Sequence, residues 1–211
     1  MHDYWLEFSK VALAHLLAAA SPGPDFAIVV RQSLRHGRRT GIWTGIGVGA
    51  AISLHVGYSL LGLGLLLTRS VGWFTIVKYL GAAYIAWLGV QSLRAKPRDA
   101  SAVATGGAAA VPSTRAAFAT GFVTNALNPK VTLFFISLFV LVVSPATPKP
   151  IQAAYGLWMV LATMGWFSLV AVFFTREDVR RGFLRHGHWI DRALGVVFLA
   201  FAARLAFTVV N

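Results

Sequence analysis

Two short runs hold the chemical capacity of this 211-residue sequence: Ser21-Pro22-Gly23-Pro24-Asp25 and Asn128-Pro129-Lys130. Each sets an ionisable side chain beside proline inside an otherwise apolar stretch. Proline removes a backbone donor and clashes with the carbonyl one turn back, at ~3 kcal/mol or more in a helix interior. Pro22 and Pro24 around Gly23 therefore end a helix rather than bend it. In hydrocarbon the freed carbonyls and amides survive only where protein or a water-filled cavity supplies partners. A half-helix N-terminus carries partial positive charge and free N–H groups suited to a carboxylate. Asp25 and the freed carbonyls suit an ammonium, so the two breaks together match a zwitterionic amino acid. The competing reading is a pair of kinks that only shape packing, with Lys130 snorkelling and Asp25 capping a half-helix. An ionisable group at bilayer depth costs ~2.5–3.5 kcal/mol on insertion scales unless it faces a partner or water. The expectation is that Asp25 and Lys130 pair across a cavity, with Asp25 a candidate carrier of a coupling proton.

The elements that must position these runs are membrane spans. Hydrophobic residues make up 57% of the chain and charged residues 12%, more apolar surface than a soluble domain of this length can bury. Apolar runs at roughly 4–30, 42–67, 71–93, 116–143, 151–174 and 190–210 are each long enough to cross. The first is not read as a cleaved signal peptide: its start carries Asp3 and Glu7, and the apolar run resumes at Phe26. The fold class expected is all-α, an integral membrane protein with six transmembrane helices, the first and fourth broken at their proline motifs.

The basic residues orient these spans. Arg31, Arg35, Arg38 and Arg39 follow the first span; Arg94, Lys96, Arg98 and Arg115 follow the third; Arg176, Arg180, Arg181, Arg185 and Arg192 surround the connection after the fifth. The connections after spans two and four hold only Arg69 and Lys149. The positive-inside rule places the three basic connections in the cytoplasm and both termini outside. Trp5, Trp43, Trp73 and Trp189 fall near span ends, at headgroup level. The same pattern accounts for the net charge of +12, so no nucleic-acid partner is expected.

Residues 95–114, rich in Ala, Gly, Ser and Thr, read as a flexible cytoplasmic linker between a first half, 1–94, and a second half, 115–211. Three crossings per half make the halves an inverted pair, and Pro22 and Pro129 stand 107 positions apart. The third and sixth spans fit that offset less well.

Other residues rank lower. Gly41, Gly45 and Gly49 form a small-xxx-small ladder that reads as close packing or a path lining. Small-residue faces are also compatible with a homodimer. His15 and His55 lie within spans and read as hydrogen-bonded structure. Lys78 and Arg204 are near enough to an outer end to snorkel. His186 and His188 sit in a basic connection with no matching ligand set, so no metal is expected. The absence of cysteine removes disulfides and thiol relays, and no glycine-rich phosphate loop points to nucleotide hydrolysis. No cofactor is expected. A secondary transporter is the leading function class. The alternatives are a membrane scaffold or assembly protein, a redox carrier on a related scaffold, and a channel, which would show polar faces along several spans.

Three stretches resemble one family, the LysE/RhtB amino-acid exporters. The first is Ser21 to Phe26 followed by Ser33-Leu34-Arg35-His36-Gly37-Arg38-Arg39 and Gly41. The second is Lys78 to Gly89. The third runs from Phe118 through Gly121-Phe122 and Asn125 to Asn128-Pro129-Lys130 and Phe134-Phe135. The resemblance implies a proton-driven exporter of homoserine, threonine, lysine, leucine or similar solutes, built as six helices in two inverted halves in the bacterial inner membrane. It places Pro22, Gly23, Pro24 and Asp25 in one broken helix and Asn128, Pro129 and Lys130 in the other, with Asn125 a possible path residue. It departs after Phe135, where relatives have a Pro-Gln-Phe element and this chain reads Ser137-Leu138-Phe139-Val140.

Overall fold

The computed structural model describes residues 3–69, 71–96, 110–144 and 146–207, and every regular element among them is helical. In chain order these are α1 (Tyr4–Ala20), α2 (Pro24–His36), α3 (Arg38–Arg69), α4 (Val71–Leu93), α5 (Thr114–Ala126), α6 (Pro129–Leu141), α7 (Lys149–Phe174) and α8 (Glu177–Phe207). The first expected span is the pair α1 and α2, bent by 54°, and the fourth is the pair α5 and α6, bent by 58°. Residues Arg38–Leu61 of α3 and all of α7 are each long and apolar enough to cross a bilayer. Each bent pair makes one further candidate span among the described residues, and α4 contributes the shorter apolar stretch Ala82–Leu93. This is a helical membrane protein.

Local sequence explains where the helices start and stop. Asp3 Oδ1 accepts the amides of Trp5 and Leu6 at 3.0 Å each, satisfying two orphan donors of α1. Ser113 caps α5 by accepting from the Ala116 amide. Gly37, with φ +85, ends α2 in the left-handed region, and its amide returns to the Ser33 carbonyl at 3.0 Å. That single glycine replaces the loop expected after the first span, so Arg38 and Arg39 already open α3.

One sequence expectation is revised. The sixth span, expected from 190, belongs to a helix that begins at Glu177, so the basic stretch read as a connection is mostly helical. Glu177 and Asp178 in its first turn complement the helix dipole, and hydropathy alone registers only the apolar portion. Arg192 lies over the Trp189 ring at 4.9 Å and donates to the Ala95 carbonyl, tying α8 to the end of α4. The linker expected over 95–114 lies, for 97–109, outside the described residues, as do the side chains of Lys78 and Arg204.

Glycines set how closely the helices cross. A Cβ on Gly47 would overlap the Phe118 carbonyl, and one on Gly121 would overlap the Thr44 carbonyl, so α3 and α5 meet backbone to backbone. Gly89 and Gly195 do the same for α4 and α8. Three apolar clusters follow from these crossings. One gathers Val11, Ile52, Phe135, Leu138 and Met159; a second gathers Phe26, Val29, Val48, Phe167 and Val170; a third joins Ala82 and Ile85 to Leu194 and Phe198.

Candidate functional site

The two breaks face one another. At the first, Ser21 closes α1, Gly23 precedes α2 with an extended backbone, and Pro24 is the first residue of α2, where its missing N–H costs nothing. At the second, Asn128 caps α6 by accepting the Lys130 amide at 3.0 Å, and Pro129 again takes the first helical position. Pro24, rather than Pro22, is therefore the positional counterpart of Pro129.

Asp25, 8% exposed, joins the breaks: its Oδ2 accepts Asn125 Nδ2 and Asn128 Nδ2, both at 3.0 Å. Its Oδ1 and the Oδ1 of Asn125 are buried without a hydrogen-bond partner among the described residues. Two buried acceptors without partners are costly unless a donor reaches them. On the other side of the break, Lys130 Nζ donates to the Ser21 carbonyl at 3.0 Å, and a Cβ added to Gly23 would stand 3.4 Å from that nitrogen. A side chain at position 23 would therefore lie in van der Waals contact with the ammonium.

The direct Asp25–Lys130 pair expected from sequence is not formed. Each group takes its own partners from the opposite break, and they act on one another only through space, with Asp191 of α8 adding a second negative charge near Lys130. The reason lies in the breaks themselves, since the freed Ser21 carbonyl takes the Lys130 ammonium and the two Asn amides take Asp25 Oδ2. Asp191 was missed in the sequence because it stands at the edge of the sixth apolar run with no proline break beside it.

These groups line a cavity of about 50 Å³ where the three apolar clusters meet. A single water needs ~10–15 Å³ on the same measure, so the space admits a few waters or part of a small solute. Phe134, Phe135, Phe167 and Phe198 form apolar walls, and His15 and Thr163, hydrogen-bonded to each other at 2.8 Å, add a polar spot. Sequence gave no reason to join His15 to Thr163, which lie 148 positions apart. Gly41, Gly45 and Gly49 do not line the cavity; they face Ser33 and Ala171, Phe167, and Met164, respectively. Asn125 does line it.

Residues 16–208 match the model of the LysE type translocator family. The chain belongs to that family. The translocator is similar to the threonine efflux protein of Salmonella typhi, 31% identical over 198 residues that cover 94% of this chain and 96% of the relative. It is 29% identical over the same coverage to the threonine efflux protein of Escherichia coli strain K12. The homoserine/homoserine lactone efflux protein of Salmonella typhimurium is 31% identical over 150 residues, 71% of this chain and 69% of the relative. No solved structure matches the translocator. Family membership makes it a transport protein and not an enzyme.

Proposed function

We propose that this translocator is a secondary transporter that exports amino acids or close derivatives across the bacterial inner membrane in exchange for protons. The observation that carries the reading is the arrangement at the breaks. Asp25 Oδ1 and Asn125 Oδ1 offer two acceptors to an α-ammonium, while Lys130, which lines the cavity and gives one bond to the Ser21 carbonyl, offers donors to the carboxylate. Pro22, Pro24 and Pro129 keep the helix ends apart so that these groups remain at the cavity. The names of the similar efflux proteins support a small hydroxylated amino acid such as threonine or homoserine.

The architecture that goes with this reading is six crossings in two inverted halves, 1–94 and 115–211, with both termini outside. The near-equal bends of the two broken pairs and the reciprocal Gly89–Gly195 crossing of α4 and α8 support it.

Toxicity rescue tests the function. A sensitive bacterial strain is challenged with a panel of amino acids and analogues, and the wild type is compared with Asp25→Asn and Lys130→Ala at matched membrane levels. Rescue by the wild type that is lost in both variants is the expected result. Absence of rescue for every solute overturns the reading.

A further inference from the structure

Behind the cavity wall lies a titratable group that the solute site does not use. His55, 1% exposed on α3, has Nε2 3.2 Å from the Asn125 carbonyl and Nδ1 2.7 Å from the Tyr58 hydroxyl. The Tyr58 hydroxyl is also 3.3 Å from the Thr132 carbonyl. Phe135, which lines the cavity, stacks on the His55 ring with centroids 5.6 Å apart. His55 thus touches both sides of the second break, the end of α5 and the first turns of α6.

The hydrogen count singles out this network. The Asn125 carbonyl accepts only, so Nε2 carries a proton. In neutral His55, Nδ1 is then an acceptor, and the single Tyr58 proton goes to it. In protonated His55, Nδ1–H donates to the Tyr58 oxygen, and the Tyr58 proton turns to the Thr132 carbonyl, already within reach. A proton can be added or removed by rotating one hydroxyl, with no heavy atom moved and no group on the ring left unpaired. At Asp25, Oδ2 is held by two amides that can only donate, so a proton there would sit on Oδ1, at the ammonium position itself rather than behind it.

We infer that His55 and Tyr58 form the proton-binding site against which the solute ammonium is exchanged. The inference rests on the exporter reading above. The proton adds to Nδ1 and places one positive charge directly behind Asn125, the residue whose amide holds Asp25 and whose Oδ1 faces the ammonium position. Charge repulsion through that one residue makes occupancy by proton and by ammonium mutually unfavourable, as antiport requires. The other ionisable groups around the cavity are Asp25 from α2, Lys130 from α6, with Asp191 of α8 near it, and His15 from α1, beyond Phe135; α4, α5 and α7 line it with no ionisable side chain.

The test uses the purified full-length protein in liposomes, with labelled L-threonine and L-homoserine as probes. Counterflow, driven by unlabelled solute inside, needs no proton movement; uphill transport driven by a pH gradient does. His55→Gln keeps a donor for the Asn125 carbonyl and removes the titratable nitrogen. It is expected to lower gradient-driven accumulation at least tenfold, while counterflow in the same vesicles still reports a working solute site. Gradient-driven accumulation within twofold of wild type overturns the inference, and so does a matching loss of counterflow. If His55→Gln does not purify as a single species, Tyr58→Phe serves, with gradient stimulation expected to fall at least threefold and no change counting against the inference. Wild-type counterflow without any response to the gradient overturns the proton site but leaves the exporter reading standing. No wild-type counterflow with either probe brings down both.

Discussion

Lys130 Nζ donates to the carbonyl of Ser21 at 3.0 Å, so the cation of the second break satisfies a carbonyl exposed by the first. A hydrogen bond from a charged group is worth about 1.5–3 kcal/mol, and here it spans residues 109 positions apart. Lys130→Met is expected to reduce export at least tenfold and to loosen the contact between α1 and α6. Because Asp25 and Lys130 each hold their own partners, the double variant Asp25→Lys with Lys130→Asp is expected to stay inactive at normal membrane levels. Recovery of export by the reversed pair would show that the two charges act as a direct pair after all.

Asn128 serves both breaks, donating to Asp25 and capping α6. Asn128→Ala removes both bonds, about 1 kcal/mol for the cap alone, and leaves Asp25 with one donor. Asn128→Ser keeps the cap and loses the reach to Asp25. The alanine variant is expected to melt lower than the serine variant by a few degrees in detergent, while both fall well below wild type in export. Equal melting of the two would remove the capping role.

The breaks were legible in the sequence because proline acts on its own turn of helix: Pro24 and Pro129 mark first helical positions whatever surrounds them. The apolar extents of α3, α4 and α7 were legible for a similar reason, since crossing hydrocarbon demands a continuous run. What stayed hidden depends on residues far apart in the chain. Asp25 meets Asn125 and Asn128 only because two bent pairs face one another, and His15 meets Thr163 only because α1 lies on α7. Charged helical segments were hidden as well: nothing in hydropathy distinguishes the charged start of α8 from a loop, and buried Asp191, at the edge of the sixth apolar run, has no proline break beside it to mark it.

The α3–α5 crossing leaves no room for a methyl group at Gly121, where a Cβ would meet the Thr44 carbonyl. Overpacking of this kind costs roughly 1–3 kcal/mol, more where backbone rather than side chain must yield. Gly121→Ala is expected to lower the amount of folded protein in membranes several-fold. Gly57→Ala, at a position with open space around it, is expected to have no such effect. Comparable levels of the two variants would mean that the helices can separate without loss.

Glu7, buried near the start of α1, accepts the Ser144 amide at 2.9 Å and the Thr147 hydroxyl at 2.8 Å, while Tyr155 donates to the Tyr4 carbonyl beside it. These bonds fasten α1 to the connection between α6 and α7. Glu7→Ala strands a buried amide and hydroxyl, at about 1–3 kcal/mol for each unsatisfied group. The variant is expected to melt several degrees lower, and Glu7→Gln, which keeps one acceptor, to lie between it and the wild type. A melting point unchanged in Glu7→Ala would show that the fastening carries no stability.

Orientation can be read directly because the chain has no cysteine of its own. Single cysteines at exposed Ala146 and exposed Arg181 are expected to react differently with a membrane-impermeant maleimide added to intact cells, Ala146→Cys labelled and Arg181→Cys protected until lysis. The reverse pattern would invert the topology and move both termini to the cytoplasm.

Thr163 offers a way to read what the cavity selects. Its hydroxyl bonds His15 Nε2 at 2.8 Å, and both residues line the same cavity as Asp25 and Lys130, within reach of a solute side chain bound there. A site built to hydrogen-bond a solute hydroxyl penalises the analogue that lacks it, because its own buried polar groups are then left unpaired. Thr163→Val keeps the shape and removes the hydroxyl, so export of threonine is expected to fall relative to valine, by roughly tenfold if one hydrogen bond of ~1.4 kcal/mol is lost. Export of valine itself is expected to hold or rise, since the wall becomes more apolar. Parallel loss for both solutes would assign Thr163 to holding α7 against α1 instead, with selectivity set by the aromatic walls.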